Sequence, residues 1–153
     1  MEIKYLCDHL IYADTVAKWN YDEFVKGIKV DRTYESTLSS IKNCRKLEFP
    51  IRLVAIIDNK CVGTVSIVFN DLKCRDYTPW LASLYVEKAY RKQKIGQKLI
   101  NHVKKIAAEL GYGELYLRTE HASDYYRKLG WEFVESCEDD YNLKPDVFKC
   151  KII

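Results

Sequence analysis

The chain has 153 residues, 48% of them apolar and 31% charged, with a formal net charge of +3. That length favours one domain over residues 1–153, and the balance excludes a disordered or low-complexity chain. No apolar run approaches the roughly 20 residues that span a bilayer, and MEIKYLCDHL has no basic stretch leading into an apolar one, so a cytoplasmic protein is expected, without membrane attachment.

Glu2 to Leu6 is a weak first strand. From Leu10 to Val25 the pattern is helical, with Ala13, Val16, Ala17 and Trp19 loosely on one side. After the polar break Lys29 to Arg32, Thr33 is placed to cap a second helix in which Leu38, Ile41, Cys44 and Leu47 recur, and Pro50 closes the region. Ile51 to Ile57 is short and β-branched and reads as a strand. Asp58 to Lys60 turns the chain into the returning strand Cys61 to Phe69, with Gly63 marking a bulge.

Asn70 to Pro79 is a polar loop, and Leu81 to Val86 is the next strand. It feeds a basic loop, Lys88 to Lys94, and then a helix carrying Ile95, Leu99, Val103, Ile106 and Leu110 on its apolar side. Gly111 and Gly113 end that helix. Strand Glu114 to Arg118, helix Ala122 to Leu129, strand Trp131 to Glu135, acidic loop Glu138 to Pro145 and strand Val147 to Ile153 complete the chain. The order implies an α/β or α+β domain with a mixed central sheet flanked by helices.

The six cysteines include no C-x-x-C pair, and no metal site is expected; without a secretory signal they read as reduced thiols, Cys61 and Cys150 as small buried residues. Trp19, Trp80 and Trp131 read as packing residues. The basic loop is the informative feature. A strand leading through cations into a helix N-terminus offers free backbone N–H groups and a positive dipole end to an anion such as a phosphate. Neither a Walker loop nor a dinucleotide fingerprint fits: the Lys-Ser/Thr pair is missing, and one glycine stands where three are needed.

The segment SLYVEKAYRKQKIGQKLI resembles the cofactor motif of the GNAT superfamily of N-acetyltransferases, Arg/Gln-x-x-Gly-x-Gly/Ala, aligned on Arg91, Lys92, Gln93, Lys94, Ile95 and Gly96. The family's later helix, Asn-x-x-Ala-x-x-Phe-Tyr-x-x-Leu-Gly-Phe, is similar to the run holding Thr119, Ala122, Tyr125, Tyr126, Leu129, Gly130 and Trp131. FNDL and TPWLAS further resemble a bacterial subgroup whose substrates are mostly unassigned. Three positions depart from the pattern: Lys94 replaces a glycine, Lys88 a proline and Thr119 an asparagine.

The resemblance implies a single-domain GNAT-like fold using acetyl-CoA, transferring the acetyl group directly to an amine in a ternary complex. The pyrophosphate would lie on the amides from Lys92 to Gln97, with Arg91 and Lys92 adding charge. Leu84, Tyr85 and Val86 would pair with the pantetheine arm, an amide near Val86 would polarise the acetyl carbonyl, and Tyr126 would protonate the leaving sulfur. The base that neutralises the acceptor amine is open among Asp71, Glu23, Glu120 and His121. The acceptor is equally open, a small-molecule amine or a protein or peptide amine, as is a homodimer. Two rivals stand beside this reading: a silent CoA-ester-binding or protein-interaction module, and a nucleic-acid binder using the basic face from Tyr90 to Lys105, which ranks low because the helix carries a regular apolar stripe.

Overall fold

The computed structural model describes residues 1–152. Seven strands form one mixed sheet: β1 (Glu2–Tyr5), β2 (Ile51–Ile57), β3 (Lys60–Val68), β4 (Trp80–Val86), β5 (Glu114–Thr119), β6 (Glu132–Ser136) and β7 (Asp146–Lys151), in the order β1-β2-β3-β4-β5-β7-β6. Every neighbouring pair is antiparallel except β4 and β5. On one face α1 (Ala13–Asn20) and α2 (Tyr34–Lys42) pack Val16, Ala17 and Ile41 against Val54 and Cys61. On the other, α3 (Ile95–Glu109) and α4 (Ser123–Lys128) cover the main core. Ile95, Leu99, Val103 and Ile106 are buried there on Ile51, Leu53 and Leu117, as their helical spacing predicts. At Gly63 a Cβ would come within 3.2 Å of both Leu99 Cδ1 and the Tyr85 carbonyl oxygen, so glycine sets the close approach of α3 to β3.

Several boundaries differ from expectation. The helix expected from Leu10 to Val25 is three pieces: a 3-10 turn, α1, and a π-helical turn over Tyr21–Val25. Thr33 caps α2 through a reciprocal box with Ser36, but the helix stops at Lys42, leaving Cys44 outside it and Leu47 exposed. The reason is geometric. Residues three apart drift by about 60° at each step of a 3.6-residue turn, so Leu47 would fall opposite Leu38. The bulge expected at Gly63 lies beside it, at Val62, which has no partner between Ala55↔Gly63 and Ile56↔Cys61. The last expected strand residue, Ile153, lies outside the described residues. The Cys61 thiol is buried and pushed up to about 11, which keeps it inert. Trp80 and Trp131 are buried, and Trp19 packs in a tilted pair with Tyr85, ring centroids 5.0 Å apart.

Candidate active site

The site begins with a fault in the sheet. Ser83 sits in the left-handed region at φ 54°, and the β3–β4 register slips so that Ser83 and Leu84 both lie between the pairs Thr64↔Tyr85 and Ser66↔Ala82. Such a bulge bends its strand. β4 therefore leaves β5 after the one register pair Trp80↔Tyr116, which is clamped by Tyr77 stacked on Tyr116 at 4.8 Å. The parting strands open a cleft of about 1000 Å³, lined on the β4 side by Leu84, Tyr85 and Val86.

At one end of the cleft stands the basic loop. After a 3-10 turn at Lys88–Tyr90, Lys92 (φ 68°) and Lys94 (φ 62°) are both left-handed. For a side chain with a Cβ that conformation costs roughly 1–2 kcal/mol per residue. Lys94 thus takes the conformation that glycine supplies in the family pattern. The first helical bond of α3 runs from Lys98 N–H to the Lys94 carbonyl at 3.1 Å, leaving the amides of Ile95, Gly96 and Gln97 without helical acceptors. Its first turn holds no acidic side chain. Arg91 donates through Nε to the Val86 carbonyl at 2.8 Å, with its guanidinium 5.2 Å from the Tyr85 ring centroid, which ties the loop to the end of β4. A Cβ on Gly96 would lie 3.3 Å from the Tyr125 hydroxyl, so glycine keeps this corner open. Free amides, left-handed turns and the cations of Arg91, Lys92 and Lys94 form a seat that fits a pyrophosphate. Of the residues expected to hold a cofactor, Gln93 alone does not line the cleft; it is exposed between the two left-handed lysines, which turn the backbone on either side of it.

Midway lies Tyr126 on α4. It is 8% exposed, with its ring against Trp131 and Phe148. Tyr126 lines the cleft, and its hydroxyl makes no hydrogen bond among the described residues. Burial, with a smaller contribution from Tyr125, holds its phenol well above the usual tyrosine range. Thr119 accepts the Ala122 N–H at 2.9 Å through Oγ1 and closes the turn into α4, a positioning use of the residue that replaces the family asparagine.

At the far end Asp71, Glu23, Glu120 and His121 all line the cleft. Burial pushes the Asp71 carboxyl up to about 6, against the opposing pull of Arg118 and Lys29. Glu120 is engaged by Arg118 at 2.9 Å, whereas neither Asp71 nor Glu23 has an ion-pair partner among the described residues. Arg118 also pairs with Asp139, whose carboxylate accepts the N–H groups of Tyr141 and Leu143 at 2.8 Å each and so folds the acidic loop into a wall of the cleft. Sequence reasoning missed Arg118, Asp139, Lys29 and Arg32 at the site. They come from three segments that meet only in the fold, and their charges read as ordinary surface charge.

The chain matches the model of the acetyltransferase (GNAT) family over residues 13–131, and it belongs to that family. Among solved structures it shares its fold with the aminoglycoside 6'-N-acetyltransferase from Enterococcus faecium, at TM-score 0.76 and 19% identity over 100% of this chain and 98% of that one. An aminoglycoside 6'-N-acetyltransferase complexed with coenzyme A is similar at TM-score 0.76 and 18% identity, with the same coverage of 100% and 98%. A GNAT-family acetyltransferase from Staphylococcus aureus Mu50 follows at TM-score 0.69 and 19% identity over 99% and 100%. No curated protein gives a significant sequence match. Among the described residues no helix is long and apolar enough to cross a membrane.

Proposed function

We propose that this chain is an acetyl-CoA-dependent N-acetyltransferase that moves the acetyl group directly to an amine while both substrates are bound. One observation carries the reading. The parting of β4 and β5 puts the free amides of α3, the unpartnered Tyr126 hydroxyl and the Asp71 carboxylate along a single cleft. Bound acetyl-CoA supplies a thioester whose carbonyl carbon is open to an amine and whose sulfur is the leaving group.

The chain's own residues do the rest. Amides from Lys92 to Gln97, with Arg91, Lys92 and Lys94, hold the phosphates. Main-chain groups of Leu84, Tyr85 and Val86, freed by the bulge, orient the arm, and an amide near Val86 meets the developing oxyanion. Tyr126 keeps its proton at all physiological pH values and directs it at the sulfur. Because burial makes complete ionisation of this phenol uphill, its contribution is a hydrogen bond that strengthens as charge builds on the sulfur. Asp71, ionised above about pH 6, takes the proton of the acceptor amine, with Glu23 also at this end of the cleft. Fold neighbours named for aminoglycosides support an acceptor of small-molecule size.

The test is a thiol-release assay with acetyl-CoA against a panel of amines. Tyr126→Phe is expected to lower kcat about 100-fold with coenzyme A affinity unchanged by calorimetry. Unchanged turnover removes Tyr126 from this role, and absence of acetyl-CoA binding at millimolar concentration overturns the whole reading.

A further inference from the structure

A second cavity, of about 340 Å³, adjoins the cleft, with Phe24, Lys29, Arg32 and Ser83 lining both. It lies between the α1–α2 segment and the face of the sheet that carries Arg52. Strand alternation explains the arginine's position. Ile51 and Leu53 face the α3 core, so Arg52 and Val54 face the other way. Arg52 uses Nη1 to donate to Ser66 Oγ at 3.2 Å, while its Nε is sealed from solvent without an acceptor. No carboxylate reaches it among the described residues, although burial depresses its pKa. A desolvated guanidinium with no counter-charge is a costly arrangement, and cavities that hold one are where ligands are found.

Lys29 also lines the cavity, but its ammonium lies over the Tyr141 ring at 5.6 Å and is drawn by Asp71 and Asp139 of the cleft, so it is not the counterpart of Arg52. One acid, Asp31, lines the same cavity. Asn20 contributes a buried amide oxygen that finds no donor. The Asn20 oxygen and the Arg52 Nε are both sealed, so what the cavity wall presents is the rest of the Arg52 guanidinium, a cation without a counter-charge among the described residues.

Resting on the acetyl-transfer reading, we propose that this side cavity seats the carboxylate of the acceptor, which is an amine that also bears a carboxylate. The carboxylate sits on Arg52, and the chain of the acceptor passes Ser83 into the cleft, where its amine meets Asp71. With Nη1 committed to Ser66 and Nε sealed, Nη2 is the donor nitrogen Arg52 has left, which suits a single carboxylate. Asp31 and the Asn20 oxygen close by disfavour a doubly charged phosphate. Such an acceptor differs in charge from a polycationic aminosugar.

Calorimetry on the whole protein, with and without coenzyme A, tests this apart from turnover. The probes are a ladder of short ω-amino carboxylates and their matching ω-amino amides. At least one carboxylate is expected to bind about tenfold or more tighter than its amide, a difference of about 1.4 kcal/mol. Arg52→Met is expected to bring the pair within about twofold, and Arg52→Lys to keep part of the preference. If Arg52→Met does not fold, Arg52→Gln, which drops the charge but keeps a polar side chain beside Ser66, is expected to bring the pair within the same twofold. Carboxylates that bind no better than their amides in the wild type, or a preference that survives Arg52→Met, overturn the inference. A carboxylate preference without thiol release from acetyl-CoA supports the anion seat and overturns acetyl transfer instead.

Discussion

Lys94 carries two opposing terms in one residue. Its left-handed backbone opposes folding, while its ammonium stands at the mouth of an anion seat. Lys94→Gly is therefore expected to stabilise the ligand-free protein by about 1 kcal/mol, as the left-handed strain exceeds the added chain entropy of glycine. The same change should make coenzyme A binding less sensitive to salt, because one cation leaves the phosphate seat. Thermal melts and titrations at several ionic strengths read both effects. Asp71 gives a second prediction. Its folded-state pKa of about 6 lies above the ordinary 3.8, so the fold favours the protonated acid. The penalty is absent below 3.8 and complete above about 6. Asp71→Asn is expected to raise the melting temperature at pH 7 and to remove the acidic limb, near pH 6, from the kcat/KM profile.

Among the elements, the loop Asn70–Pro79 matters beyond its length because it carries Asp71. It is held by Arg75, which grips Glu135 of β6 through Nε at 2.9 Å and Nη2 at 2.7 Å, and by the Tyr77 hydroxyl on the same carboxylate. Hydrogen bonds from Arg75 and then Tyr77 lower the Glu135 carboxyl from 4.5 to about 2. Its stabilisation is present above 4.5 and is lost as pH falls through about 2. Glu135→Gln should lose that pH-dependent part of stability, measured by melts from neutral pH down to acid, and should raise KM for the acceptor through a looser loop. Periodicity made the long helix α3 and the β2–β3 hairpin legible, since both bury a regular stripe. It overran α2, where spacing of three mimicked a helix face. The motif resemblance pointed to a loop and a helix that line one cleft, all its residues but Gln93 included. At the other end of the cleft the sequence offered Asp71, Glu23, Glu120 and His121, but not the charges that surround them. Arg118 and Asp139 meet there from β5 and the acidic loop, and Arg52 reads in sequence as one polar residue in a strand.

For the whole molecule, ligand binding and folding are linked. Acetyl-CoA at a hundred times its Kd is expected to add about 2.7 kcal/mol of stability, read as a rise in melting temperature that grows with concentration. The face from Tyr90 to Lys105 does not behave as a free basic helix, since Ile95, Leu99 and Val103 are committed to the core and Lys104 lies over the Trp131 ring at 5.5 Å.

The bulge at Ser83 has a consequence at this scale as well. With β4 joined to β5 through a single pair, the sheet is two half-sheets, β1 to β4 and β5-β7-β6, and the margin of β4 past Trp80 is a raw edge enclosed within the protein. Most proteins blunt such edges because unpaired N–H and C=O groups recruit foreign strands. This one keeps the edge and lines it with the walls of the cleft. The fold is in that sense left one strand short, and under the proposed function the arm of the cofactor is the strand that joins its halves.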